Sequence, residues 1–285
     1  MPHHILSRAQ SRATRERSLE TVRGRQIPWT LVEIGCNDRT VHGADLAGRA
    51  TEQLTALVSF IKLIKGESIM PIEQMSNFFS ARVDGYDEHM LNNVRGCKEG
   101  YIKMAELLPY DVNNILDLGC GTGLELDEIF KTKPLVHVTG IDLTQAMLDK
   151  LKQKHPDKNL TLINANYFDY NFGIEKYDVA ISFQTMHHFS HNDKIKLYSK
   201  ICSALKDGGQ YIECDYMVID QADEDLYYNE NQRIRKEQGI KDEEFYHYDT
   251  PCTIDNQIML MSKAGFIKSE MIWRVENTTI IVAQK

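Results

Sequence analysis

Three glycines at alternate positions, Gly119, Gly121 and Gly123, interrupt the apolar run ILDLGCGTGLEL (115–126). A strand that enters a helix through such a turn brings backbone close to a ligand, as in α/β proteins that hold nucleotides. Spacing narrows the choice of ligand. A dinucleotide turn reads GxGxxG, whereas position 124 is Leu, and no Gly-Lys-Ser/Thr follows to make a P-loop. Asp117, two residues before the first glycine, would repel a pyrophosphate, yet it suits the cationic amino-acid end of S-adenosylmethionine.

Asp142 closes the run VHVTGID, nineteen residues beyond Gly123. A carboxylate there accepts both hydroxyls of a ribose without a 2′-phosphate, in nicotinamide and S-adenosylmethionine sites alike. In LTLINANYFDY, Asn166 can meet an adenine edge and Tyr167 its face, while YDVAISFQTMHHF carries Phe183 and Gln184 to the same end of the sheet. Beyond them stand His187, His188 and His191. Packing, catalysis and metal binding are open readings for these histidines, but HHxxH across a loop lacks the i, i+4 helical geometry of known ligand pairs, so no metal is expected. In YIECDYM, Glu213 and Asp215 share a strand face; they are either a paired site for a cationic acceptor or a solvated strand end. EEFYHYDTPCT (243–253) adds Tyr246 and His247, with Tyr248, Asp249 and Cys252, on a stretch placed to cover an acceptor.

The elements that would position these groups alternate. Strands are expected near 114–118, 136–141, 160–164, 178–183 and 209–215, with helices near 123–131, 144–154 and 192–205. A helical lead-in spans about 72–108. A polar, Tyr-rich lid of about 218–253 precedes a helix (254–264) and two last strands (267–275, 277–283). This rhythm predicts an α/β fold with a mostly parallel sheet covered on both faces.

On these motifs the chain resembles the class I S-adenosylmethionine-dependent methyltransferases. DLGCGTG, GIDLTQAML, NANYFDY, YDVAISF and LKDGGQYIE match five family motifs in order, and the resemblance spans about residues 75–285. It implies a doubly wound, Rossmann-like sheet of seven strands with the last antiparallel, and S-adenosylmethionine as cofactor. It carries cofactor contacts to Asp117, Gly119, Cys120, Gly121, Gly123, Asp142, Leu143, Met147, Asn166, Tyr167, Phe183 and Gln184. Asn166 stands where Asp is more usual; its amide oxygen can still face the adenine amino group. ARVDGYDEH resembles the family segment that folds over the cofactor, making Arg82 and Tyr86 candidates for its carboxylate end. His187, His188, His247, Glu213, Asp215 and Tyr246 remain the candidates for catalysis.

Composition bounds the partners. Residues 1–61 carry a net +2, with eight Arg and no Lys, and residues 62–285 a net −10. So negative a domain disfavours a nucleic-acid substrate. The base-methylating Asp/Asn/Ser-Pro-Pro-aromatic motif is replaced by Ser182-Phe183-Gln184-Thr185. A small-molecule acceptor is the leading expectation; a tRNA-modifying relative, a non-catalytic S-adenosylmethionine binder and a nicotinamide oxidoreductase are the alternatives. No apolar stretch is long enough to span a bilayer, and six scattered cysteines indicate reduced thiols and a cytoplasmic protein. The switch from Arg to Lys, with a purine-rich coding possibility at Lys65-Gly66-Glu67 ahead of Met70, leads to the expectation that the methyltransferase domain is 70–285 and that 1–69 is an appended leader, partly disordered. The other reading is an N-terminal extension with a helix around 44–65.

Overall fold

A computed structural model describes residues 71–285. The expected leader, and the helix around 44–65, lie outside the described residues.

The lead-in is two helices, α1 (Met75–Asn92) and α2 (Cys97–Glu106), broken at Gly96. Then follow β1 (Asn114–Leu118), α3 (Leu124–Thr132), β2 (His137–Asp142), α4 (Gln145–Lys154), β3 (Leu160–Asn164), β4 (Tyr177–Phe183), α5 (His191–Ala204) and β5 (Leu205–Val218). α6 (Gln221–Gln238), a two-residue β6 (Cys252–Thr253), α7 (Ile254–Lys263), β7 (Lys268–Val275) and β8 (Thr278–Gln284) complete the chain. The sheet runs β3-β2-β1-β4-β5-β8-β7, with β6 beside the end of β5. β8 is antiparallel to both its neighbours, as expected of the last strand. The one addition to the expected seven strands, β6, is too short to leave a period in the sequence.

Near-continuous burial of β1 and β4 reflects a sheet covered on both faces. On one face, Cys97, Tyr101, Met104 and Ala105 recur at helical spacing along α2 and pack with Leu126, Ile129 and Phe130 of α3. On the other, Leu197, Tyr198 and Ile201 of α5 pack with Leu260 and Met261 of α7. Each such buried side chain contributes roughly 1.5–3 kcal/mol. The start of α5 is fixed by Ser190, whose hydroxyl accepts from the Asp193 amide at 3.2 Å; a cap of this kind is worth about 1 kcal/mol.

Strand order reverses between β1 and β4, so their carboxyl ends diverge and open the crevice where such sheets bind ligands. Two distant segments cover it. Gln74 bridges Tyr246, the Met75 amide donates to the Phe245 carbonyl at 3.1 Å, and the His247 amide donates to the Glu73 carbonyl at 2.9 Å. The lead-in and the arm after α6 thus close over the crevice together.

Candidate active site

The turn after β1 shows why glycine recurs there. Gly119, Gly121 and Gly123 all have left-handed φ (70°, 47° and 74°). A Cβ on Gly119 would stand 2.7 Å from Thr185 Oγ1, and one on Gly123 2.3 Å from Leu151 Cδ1. At Gly121 the nearest atoms are 3.9 Å away, one of them on the Tyr86 ring. Packing therefore demands the outer glycines, while the middle one faces open space beneath Tyr86.

Asp142, at the end of β2, accepts from the Gly121 amide at 2.9 Å and the Thr144 amide at 2.7 Å. Burial nevertheless pushes its carboxyl up to about 6. Asp117 is 1% exposed and shares a hydrogen bond with the Glu125 carboxyl; no other donor among the described residues reaches its oxygens. Burial and the neighbouring Glu125 carboxyl lift Asp117 well above the usual range, and burial takes Glu125 to about 7. Two buried acids that share a hydrogen bond, with no other donor on Asp117, favour a cation beside them. The ammonium of S-adenosylmethionine meets that need, with Asp142 for its ribose, so the residues present fit this cofactor.

Around the cradle, Cys120 and Met147 are buried and Leu143 forms an exposed lip. Tyr167 donates or accepts a 3.0 Å bond with Thr185. The oxygen of Asn166 accepts from the Phe168 amide at 2.9 Å; its amide nitrogen, rather than the expected oxygen, is left to offer a base edge. Phe183 stacks on Tyr101 with centroids 3.9 Å apart and belongs to the packing of α2, not to the cradle. Gln184 takes a left-handed φ of 51° and directs its amide toward Cys97 and Thr278. Arg82 lies over the Phe78 ring, 3.7 Å from its centroid, and pairs with Glu73 at 3.0 Å, so it serves the lead-in rather than the cradle.

At the acceptor end a 3₁₀ turn, Met186–His188, follows β4. Asp215, near the end of β5, accepts from the Met186 and His187 amides at 2.7 and 3.2 Å and binds Nδ1 of His187. Asp249 arrives on the arm, which is pinned by the Thr250 amide donating to the His187 carbonyl at 2.6 Å. Its Oδ1 stands 3.5 Å from His187 Nε2 and 3.5 Å from His188 Nδ1. Burial opposes a charge on His187, but Asp215 and Asp249 overcome it and lift the ring to about 9. Asp215 and Asp249 thus favour the charged form of His187, the first of the three histidines the sequence left open between packing, catalysis and metal binding. Burial, then His187 and His247, hold His188 well below the ordinary range; burial takes His247 down to about 4. His247 stacks face to face on Phe78 at 3.5 Å, its Nδ1 buried without a partner among the described residues. Phe79 lies between Tyr86 (6.2 Å) and the rings of His188 (6.2 Å) and His247 (5.7 Å), linking cradle to acceptor end.

Glu213 does not join this cluster. Fully buried, it accepts from the hydroxyls of Tyr198 (2.7 Å) and Tyr211 (2.9 Å) and from the Gln257 amide (2.5 Å). Two residues along a strand are about 6.6 Å, which sets Glu213 back inside the core while Asp215 reaches the edge. Tyr246 contributes its backbone bridge and is half-buried. The sequence reading missed Glu125, Thr185, Phe78 and Phe79. An acid in the first turn of a helix reads as ordinary dipole complementation, which hid Glu125.

Residues 115–209 match the model of a methyltransferase domain. Carboxy-S-adenosyl-L-methionine synthase of Nautilia profundicola is 25% identical over 228 residues, covering 75% of this chain and 97% of that protein. An O-methyltransferase family protein from Burkholderia thailandensis superposes with a TM-score of 0.57 at 16% identity, over 82% of this chain and 70% of its own. Human N-acetylserotonin methyltransferase, solved in complex with S-adenosylmethionine, gives 0.52 at 17% identity, over 73% and 55%. At these identities the two structures speak for the fold alone.

Proposed function

The chain belongs to the class I S-adenosylmethionine-dependent methyltransferases, and on that premise we propose that its acceptor is a small molecule bound between the cradle and the histidine cluster. The observation that carries this reading is the buried Asp117–Glu125 carboxyl pair beside the glycine turn, with His188, His247 and Phe79 grouped beyond Tyr86. S-adenosylmethionine held there supplies a sulfonium methyl already activated for displacement. The chain's own work is positioning and exclusion of water. Asp117 and Glu125 face the ammonium, Asp142 the ribose, and Tyr86 walls the turn. The paired lead-in and arm shut out solvent. Imidazole nitrogens at the acceptor end are placed to hold or take a proton from a hydroxyl, thiol or amine. Five described cysteines are free and buried, and no described helix is long and apolar enough to cross a membrane; we assign the enzyme to the cytoplasm.

Calorimetric titration with S-adenosylmethionine, S-adenosylhomocysteine and NAD is the test. Micromolar binding of the first two, reduced at least 30-fold in Asp142→Ala and Gly121→Arg, is expected. Binding of NAD alone sinks the reading. A second reading rests on the alignment with carboxy-S-adenosyl-L-methionine synthase over 75% of this chain and 97% of that protein: the methyl stays on sulfur, gives up a proton and gains the carboxyl of a carboxylate co-substrate, whose remainder takes that proton. Mass spectrometry of the reaction separates the two, since S-adenosylhomocysteine marks transfer and a carboxylated sulfonium marks the alternative.

A further inference from the structure

We propose that His187, His188 and Asp249 form a binding site for one divalent transition-metal ion at the acceptor end of the crevice. One ligand atom from each residue lies within 4.8 Å of the other two; Asp249 Oδ1 faces His187 Nε2 and His188 Nδ1, the latter also 3.4 Å from the Tyr248 carbonyl. Both imidazole-to-carboxylate separations are 3.5 Å. That is long for a charge-assisted hydrogen bond, which closes to about 2.7–2.9 Å. Ligands about 2.05 Å from a tetrahedral centre stand ~3.4 Å apart. The two imidazole-to-carboxylate separations match that spacing.

Orientation supports the same assignment. Nδ1 of His187 is engaged by Asp215, which also receives the Met186, His187 and Tyr216 amides. A carboxylate behind a histidine in this way fixes the tautomer that presents the other nitrogen to a metal. Two buried acids, Asp215 and Asp249, stand on either side of the His187 ring, and their charge suits a dication. Two imidazoles and a carboxylate suit zinc or ferrous iron rather than magnesium or calcium. His247, with its buried unpartnered Nδ1, borders the cluster at 4.9 Å from the His188 ring.

A second trio, His191, Glu224 and Cys252, also gathers donors within 4.8 Å. There His191 and Glu224 already pair at 2.9 Å and Cys252 Sγ has the Lys194 ammonium 3.1 Å away, so each donor has a partner of its own. The sequence lacked the helical i, i+4 pattern because neighbouring histidines on a 3₁₀ turn meet an acid 61 residues further along the chain.

Resting on the proposed function, an ion here that took the acceptor's hydroxyl or thiol as a further ligand would lower its pKa. Oxygen or sulfur acceptors would then be favoured over amines.

The test is metal binding to the full chain. Protein stripped with a chelator is titrated calorimetrically with Zn²⁺, and with Co²⁺ while its visible spectrum is followed. One equivalent at submicromolar affinity with a four-coordinate cobalt spectrum is expected, weakened at least 100-fold in Asp249→Asn and His188→Gln and unchanged in His191→Gln. S-adenosylmethionine affinity, measured on the same variants, reports folding and tests the cofactor reading separately. Absence of a stoichiometric site in the wild type overturns the proposal; so does a site lost in His191→Gln but kept in Asp249→Asn.

Discussion

At the residue scale, the cradle is built from acids kept from ionising freely. Burial raises Asp117, Glu125 and Asp142 together, the last two to about 7 and about 6. A carboxyl whose folded pKa is raised stabilises the fold fully below its unfolded value, and that stability is lost as pH rises through the folded value. Cofactor-free protein should therefore lose melting temperature between about pH 4 and 7, and Glu125→Gln should be the more stable by on the order of 2–3 kcal/mol at pH 8 and near parity at pH 4.5. S-adenosylhomocysteine, which brings an ammonium, should restore more to the wild type at pH 8 than to the variant. Thermal scans of both proteins across that range decide it; parallel profiles would mean that the pair is not strained. The sequence showed Asp117, Asp142 and the glycines because their roles depend on local spacing. It could not show that two acids flank His187 and favour its charged form, since Asp215 and Asp249 lie 28 and 62 residues away.

At the element scale, the crevice is covered by two pieces that lie 170 residues apart, at Met75 and Phe245. The start of α1 meets the arm through backbone pairing at 73–75 and 245–247. Phe78 then forms a three-layer stack with Arg82 on one side and His247 on the other. Replacing Phe78 by Ala removes the middle layer, a change that costs about 3–5 kcal/mol in a packed interior. Faster amide exchange is expected at Met75, His247 and Thr250, with cofactor affinity within threefold of wild type and a raised KM for the acceptor. Hydrogen-exchange mass spectrometry reads the first of these. Unchanged protection of the arm would show that the backbone pairing alone holds it. The strands from β1 to β4 were legible within a residue or so because parallel strands are continuous apolar runs. β5 extends beyond its expected 209–215 at both ends, to Leu205–Val218, since Lys206, Asp207 and two glycines hide its beginning. Nothing local marks the lead-in and the arm as partners.

For the whole molecule, the doubly wound order sets the switch point between β1 and β4, and that placement is what alternating strands and helices convey most dependably. Net charge acts at this scale too, and it separates a small-molecule enzyme from a tRNA-modifying one. The full chain carries −8, with residues 62–285 at −10. Association with a polyanion depends on cations that release its counterions, with a slope of about −0.7 to −0.9 per phosphate contacted in log affinity against log salt. Residues 1–61 are the only net basic portion of the two, and their +2 would support few contacts. The full chain is therefore expected to show no tRNA binding up to about 10 μM at 150 mM salt by fluorescence anisotropy, while S-adenosylmethionine binding persists under the same conditions. Micromolar tRNA binding with a steep salt slope would instead locate a basic surface that outweighs the global charge, and the acceptor would have to be sought in RNA.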